Sequence, residues 1–266
     1  MSELALPDCE GLTLRLEEGV LTVVFDRPAK RNAITLAMYR TLTAIFAAAA
    51  EMPKLRAIVL RGADGCFSAG ADIGDLAEGE GRRLAMLKEH RRISDTAVEA
   101  LAACRKPSVA LIEGYCLGGA MAFAMACDFR IAAPGASLGI PASHLGVVYS
   151  YGDCRRLQSL VGLPMAKRIL FLGDRMQAEE ALACGLVDEV AADAPAAAAA
   201  LVAALLRRAP LSIAGMKLAL DVAAAGEGML RADAVTAAAH LAMASRDMQE
   251  ATAAFLAKRP PHFTGS

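Results

Sequence analysis

Hydrophobic and polar positions alternate with period two from Leu12 to Leu16, pause at Glu17-Glu18-Gly19 and resume from Val20 to Phe25. That pattern predicts two strands, so residues 12–25 read as a β-hairpin. Thr35 is placed to cap a helix reaching about Ala50, and Pro53 breaks it. Ala57 to Leu60 and Val109 to Ile112 are short unbroken apolar runs, which suits strands in the middle of a sheet. Residues 74–105 begin polar and charged, then carry Leu84, Leu87, Ile93, Ala97, Val98 and Leu101 near helical spacing. Arg130 to Ala133 reads as another strand and Ser137 to Gly139 as the start of a small-residue loop. Pro164 to Leu172 and Ala178 to Ala183 read as helices, with Gly185 as a C-cap. From Pro195 onward the chain is alanine-rich helix. Alternating β and α units followed by helices predict an α/β core over residues 1–194 and a helical region over 195–266.

Composition narrows the function classes. With 266 residues the chain can bury a sizeable core. Its formal net charge of -1 and pI of about 6.4 give no electrostatic case for nucleic acid or an anionic membrane. No uninterrupted apolar stretch reaches the roughly 18 residues of a membrane span. The first residues lack a basic segment followed by a long apolar one, so no secretory leader is expected. Seven cysteines are scattered without a CxxC pair, which suggests reduced thiols and a cytoplasmic location. No His/Cys/carboxylate group has metal-ligand spacing, and neither a P-loop nor a dinucleotide fingerprint is present.

The candidate chemistry begins at Gly114-Tyr115-Cys116-Leu117-Gly118-Gly119-Ala120, where an apolar strand gives way to a small, apolar helical pattern. A glycine pair at such a junction lets backbone approach a ligand and leaves free N–H groups at a helix N-terminus. A developing oxyanion is the species those groups suit. The stretch Cys66-Phe67-Ser68-Ala69-Gly70-Ala71-Asp72-Ile73 repeats the theme of strand, small-residue turn and acid.

Taken in order, Asp26-Arg27-Pro28, Asn32-Ala33, Phe67 to Asp72, Gly114-Tyr115, Gly118-Gly119, Cys127-Asp128, Ala181 to Val187 and Phe255 to Phe263 resemble the crotonase, or enoyl-CoA hydratase/isomerase, family. The resemblance spans nearly the whole chain. It implies a spiral of ββα units, a C-terminal helical region that forms trimers or hexamers, and an acyl-CoA thioester as substrate with no further cofactor. By match, the N–H groups of Ala71 and Gly119 would form the oxyanion hole. Ala29, Lys30 and Arg31, then Ala69, Asp72 and Ile73, and finally Phe255 and Lys258 match positions that hold the CoA moiety.

Family hydratases use two glutamates, one to activate water and one to deliver a proton. The matching positions here are Ala122 and Ala142, neither of which handles protons. Nearby stand His144, Tyr149, Tyr151 and Asp153, in a loop similar to that of the methylmalonyl-CoA decarboxylase branch. In that branch a tyrosine matched by Tyr149 orients the departing carboxylate, but a histidine occupies the position of Ala71. Three readings follow: an enzyme that stabilises a thioester enolate for isomerisation, decarboxylation or C–C cleavage; a hydratase using His144, Tyr149 or Asp153 in place of glutamates; or an inactive acyl-CoA-binding scaffold.

Overall fold

The computed structural model describes residues 6–72, 74 and 83–266. Strands β1 (Leu12–Glu17) and β2 (Val20–Phe25) form the antiparallel hairpin, turning at Gly19. β2 pairs in parallel with β3 (Ala57–Gly62), and β3 with β4 (Ser108–Ile112). The short strand β5 (Tyr115–Leu117) leaves this layer, and β6 (Phe129–Ala132) returns to pair with β4. β7 (Ser137–Gly139) pairs in parallel with β5 and antiparallel with β8 (Arg175–Gln177), making a second, three-stranded sheet. β9 (Glu189–Val190) closes the large sheet, whose order is β1-β2-β3-β4-β6-β9.

Two isolated bridges, Ser68 to Cys116 and Ile34 to Ala71, extend the small sheet beyond β5. The chain therefore repeats one circuit: a strand in the large sheet, a short extended piece in the small one, then a helix. The successive helices are α1 (Leu36–Glu51), α2 (Arg83–Ala103), α3 (Gly119–Ala126) and α4 (Tyr151–Leu172). This is the spiral of ββα units that the motifs imply.

Helix α1 shows why the circuits close. Thr35 accepts a hydrogen bond from the Met38 N–H at 3.2 Å, satisfying one of the orphan donors of the first turn. Met38, Tyr39, Leu42, Ile45, Phe46 and Ala49 are buried at helical spacing and meet Phe25, Leu60, Phe67 and Phe123 in the main core. Each of the larger side chains gains about 1.5–3 kcal/mol by leaving water. Met52 and Pro53 then end the helix.

Two expectations need correcting. Ser137 to Gly139 is a strand, not a loop, because β5 and β8 flank it with ladder partners; three small residues are too few to show a period. Helix α4 begins thirteen residues before Pro164, at Tyr151, and Gly162 (φ 73°, ψ 162°) interrupts it just ahead of that proline.

After α5 (Ala178–Ala183), helix α6 (Ala194–Leu206) lays Ala194, Ala198 and Val202 against Ala57, Val109, Leu111 and Ile131 on the outer face of the large sheet. Helices α7 (Pro210–Ala225), α8 (Gly228–Met243) and α9 (Arg246–Leu256) bury few side chains of their own. They are tied back by the Lys217–Asp128 ion pair at 2.9 Å and by Arg56, whose guanidinium donates to the carbonyls of Leu206, Arg208 and Phe263. Among the described residues no single helix is long and apolar enough to cross a membrane. All seven cysteines are free thiols.

Candidate active site

Residues 67–71 run beside β5: Phe67 N–H donates to Glu113, Ser68 N–H to Tyr115 and Leu117 N–H back to Ser68. On the opposite edge the Ile34 N–H donates to the Gly70 carbonyl and the Asp72 N–H to the Ile34 carbonyl. In a parallel bridge of this kind the intervening residue, Ala71, turns its own N–H the other way, toward the β5 side. β5 stops at Leu117, so no strand meets that N–H. Gly118 caps α3 with a positive φ of 53°, and Gly119 opens the helix with an N–H that has no intrahelical acceptor. Neither N–H has an acceptor among the described residues.

The approach is close. A Cβ placed on Gly70 (φ 97°) would lie 2.5 Å from the Leu117 carbonyl oxygen and 3.3 Å from the Gly119 nitrogen. One placed on Gly119 would lie 3.5 Å from the Ala71 nitrogen. Two half-buried backbone donors thus converge at the positive end of a helix, an arrangement that favours negative charge on whatever oxygen sits between them.

Side chains fix the two turns to each other. Asn32 is fully buried; its amide oxygen accepts from the Arg27 N–H, and its NH2 donates to the carbonyls of Ala63 and Cys66. Arg27 forms a 2.7 Å ion pair with Asp72, whose carboxyl is held below its ordinary range chiefly by that hydrogen bond. Ala29 and Lys30 occupy an exposed 3-10 turn, Pro28–Lys30, and Arg31 leaves it in a left-handed conformation. The Ala69 N–H donates to the Arg31 carbonyl, and the Arg31 guanidinium lies 5.2 Å from the centre of the Tyr115 ring. Arg175 approaches the same ring at 5.5 Å. Ala29, Lys30, Arg31, Ala69 and Asp72 therefore gather around the Ala71 turn. Ile73 lies outside the described residues.

The loop residues separate into two places. The Tyr149 hydroxyl donates to the Gly118 carbonyl, the residue that caps α3. Burial pushes this phenol well above its ordinary pKa. Asp153 is buried in the first turn of α4, accepting from Ser150 Oγ at 2.8 Å and from Arg156 at 3.1 Å, and burial raises its carboxyl too. His144 sits elsewhere: it is exposed, and its Nε2 meets the Leu172 carbonyl at the far end of α4 at 2.7 Å. Tyr151 is 81 % exposed. Ala122 and Ala142 are both buried, leaving apolar wall at the positions matched to glutamates. Phe255 and Lys258 stand at the exposed end of α9.

Residues 15–266 match the model of the enoyl-CoA hydratase/isomerase family. A crotonyl-CoA hydratase from Syntrophomonas wolfei is 34% identical over 263 residues, covering 96% of this chain and 98% of that protein. An enoyl-CoA isomerase/hydratase from Mycosarcoma maydis is 32% identical, covering 93% of each. Among solved structures, an enoyl-CoA hydratase/isomerase family protein from Hyphomonas neptunium superimposes with a TM-score of 0.88 at 31% identity, covering 96% of this chain and 98% of that one.

Proposed function

Because the chain belongs to the enoyl-CoA hydratase/isomerase family, we propose that it binds an acyl-CoA thioester and holds the thioester oxygen on the Ala71 and Gly119 N–H groups as an enolate develops. The observation that carries this reading is the pair of unengaged backbone donors converging beside the glycine turn. Such donors act without reorganising, and removing one costs about 10²–10³-fold in turnover. Ala29, Lys30, Arg31, Ala69, Asp72 and Ile73 form the proposed CoA site, with Phe255 and Lys258 contributing from α9.

With alanine at 122 and 142, the favoured chemistry is isomerisation, decarboxylation or C–C cleavage rather than two-glutamate hydration. Asp153 and Tyr149 are the proposed proton-handling groups. Both have raised pKa values, Asp153 is buried and Tyr149 partly so, and Tyr149 touches the cap of the helix that presents Gly119. The His144 ring is engaged at the opposite end of α4 and has no such support. A homotrimer or hexamer built on α7–α9 belongs to the same proposal, supported by the apolar side chains those helices leave exposed.

Ala71→Pro tests the oxyanion hole. It deletes an N–H that has no partner in the sheet, whereas a proline at 119 would add a Cβ where the Tyr39 hydroxyl already lies. Products of saturated, unsaturated, malonyl-type and β-keto CoA thioesters would be identified by mass for both proteins. Unchanged turnover of every thioester by a folded Ala71→Pro protein would refute the reading. Rapid hydration of crotonyl-CoA by the unaltered protein would instead favour a hydratase with non-glutamate groups. No turnover of any thioester, with binding retained, would leave the scaffold.

A further inference from the structure

Helix α1 carries one polar group into the core that the proposed chemistry has not used. Tyr39 is 1% exposed, with its ring stacked on Phe123 at 5.7 Å and 18° and set edge-on to His90 at 5.7 Å. Its neighbours on the buried face of α1 are Met38, Leu42 and Ile45, so its ring behaves as core. Its hydroxyl does not. A Cβ built on Gly119 would lie 2.4 Å from Tyr39 Oη and 3.5 Å from the Ala71 nitrogen, so the hydroxyl occupies the same few ångströms as the two backbone donors. Among the described residues that hydroxyl takes no hydrogen-bond partner.

We infer that Tyr39 is a third donor to the oxyanion hole, its phenol hydrogen completing the coordination of the thioester oxygen that Ala71 and Gly119 begin. The inference rests on the enolate reading above and names a side chain that reading lacks. It also explains Gly119 itself: no residue with a Cβ leaves room for the hydroxyl at that point. Burial, together with Asp153 and Asp95, raises the phenol's pKa, so it keeps its proton and acts by donating a hydrogen bond. No covalent step is needed. The bond forms as charge moves onto the oxygen and weakens as the enolate is consumed.

The test uses acetoacetyl-CoA, a β-keto thioester whose enolate has its own near-ultraviolet band, beside butyryl-CoA, which does not enolise readily. Tyr39→Phe keeps the ring and deletes only the hydroxyl. The expected result is enolate affinity about tenfold to a hundredfold weaker, the range for a hydrogen bond to a charged group. Butyryl-CoA affinity should stay within about twofold, and the melting temperature should be unchanged, since the ring and its packing are kept. If the unaltered protein gives the band and Tyr39→Phe gives it equally, the donor role of Tyr39 is overturned while the oxyanion hole stands. If the unaltered protein gives no band, the enolate reading falls and takes this inference with it. Equal losses for both thioesters would make Tyr39 a shape residue and overturn the inference as well. Should Tyr39→Phe fail to fold, 3-fluorotyrosine placed at position 39 keeps ring and hydroxyl and sharpens the donor; enolate binding should strengthen, and no change would refute the role.

Discussion

Replacing Asn32 with alanine would strip the partner from the Arg27 N–H and from the Cys66 carbonyl, in a partly buried turn, while the Ala63 carbonyl keeps the Cys66 N–H. With two partly buried groups left unpaired, a loss of roughly 2 kcal/mol is expected. A thermal melt should show it as a drop of about 4–8 °C. Turnover should fall with it, because the same turn positions Ala71. Tyr149→Phe is a milder change at the other donor. The Gly118 carbonyl keeps the N–H groups of Met121 and Ala122, so the stability cost is only about 1 kcal/mol. If Tyr149 also handles a proton, kcat should drop at least about tenfold while KM moves little; a kcat equal to that of the unaltered protein would leave it a clamp alone.

Asp72 gives the pH dependence its sign. Its folded carboxyl titrates below the unfolded one, so the stabilisation is fully present above the ordinary aspartate pKa of about 3.9. It is lost as pH falls through the lower folded value. Asp72→Asn should therefore flatten the acid limb of a stability–pH curve and cost no more than about 1 kcal/mol at neutral pH, since the pair with Arg27 is partly exposed. At this scale the sequence was uneven as a guide. The glycine turn was visible at its strand–helix junction, but a glycine pair there serves tight packing as readily as ligand approach, and Ala71 and Gly119 were singled out only by the family resemblance. Tyr39 was not legible, because an aromatic at a core position of an amphipathic helix looks like packing until the hydroxyl's surroundings are known.

The elements were legible where they are long. The β1–β2 hairpin and α1 follow from alternation and helical spacing, and β3 and β4 from short unbroken apolar runs that suit the middle of a sheet. β5, β7, β8 and β9 have two or three residues each and owe their existence to neighbours in the sheet, which no local pattern records. α4 lies between these cases. Its second half was marked by Pro164, and the physical break sits at Gly162, in a conformation close to glycine's own preserve. Gly162→Ala meets no atom within 4 Å, so its cost is conformational only. Denaturant unfolding should show about 1–3 kcal/mol lost, with turnover per folded molecule unchanged.

For the whole molecule, the C-terminal helices leave Met216, Leu220, Met229, Leu230, Leu241, Met243, Phe255 and Leu256 exposed, far more apolar surface than isolated exposed side chains explain. Light scattering should return about three or six times the 27.7 kDa chain mass if these faces assemble as proposed. Met229→Glu combined with Leu230→Glu, both fully or nearly fully exposed in the single chain, should shift that mass toward the monomer.

The spiral itself has a temporal consequence. Each circuit pairs chiefly with the one before it, so structure can propagate along the chain as it leaves the ribosome. Ala71 belongs to the second circuit and Gly119 to the third, and both are in register once α3 has docked. The Tyr149 clamp arrives one circuit later, and α7–α9 later still. Pulse-labelled hydrogen exchange on stalled nascent chains should find the Ser68 and Leu117 amides protected before any amide of α9 has emerged. The pairing of the Ala71 and Gly119 turns, on this order of events, is older in the life of each molecule than the surface through which it would meet its copies.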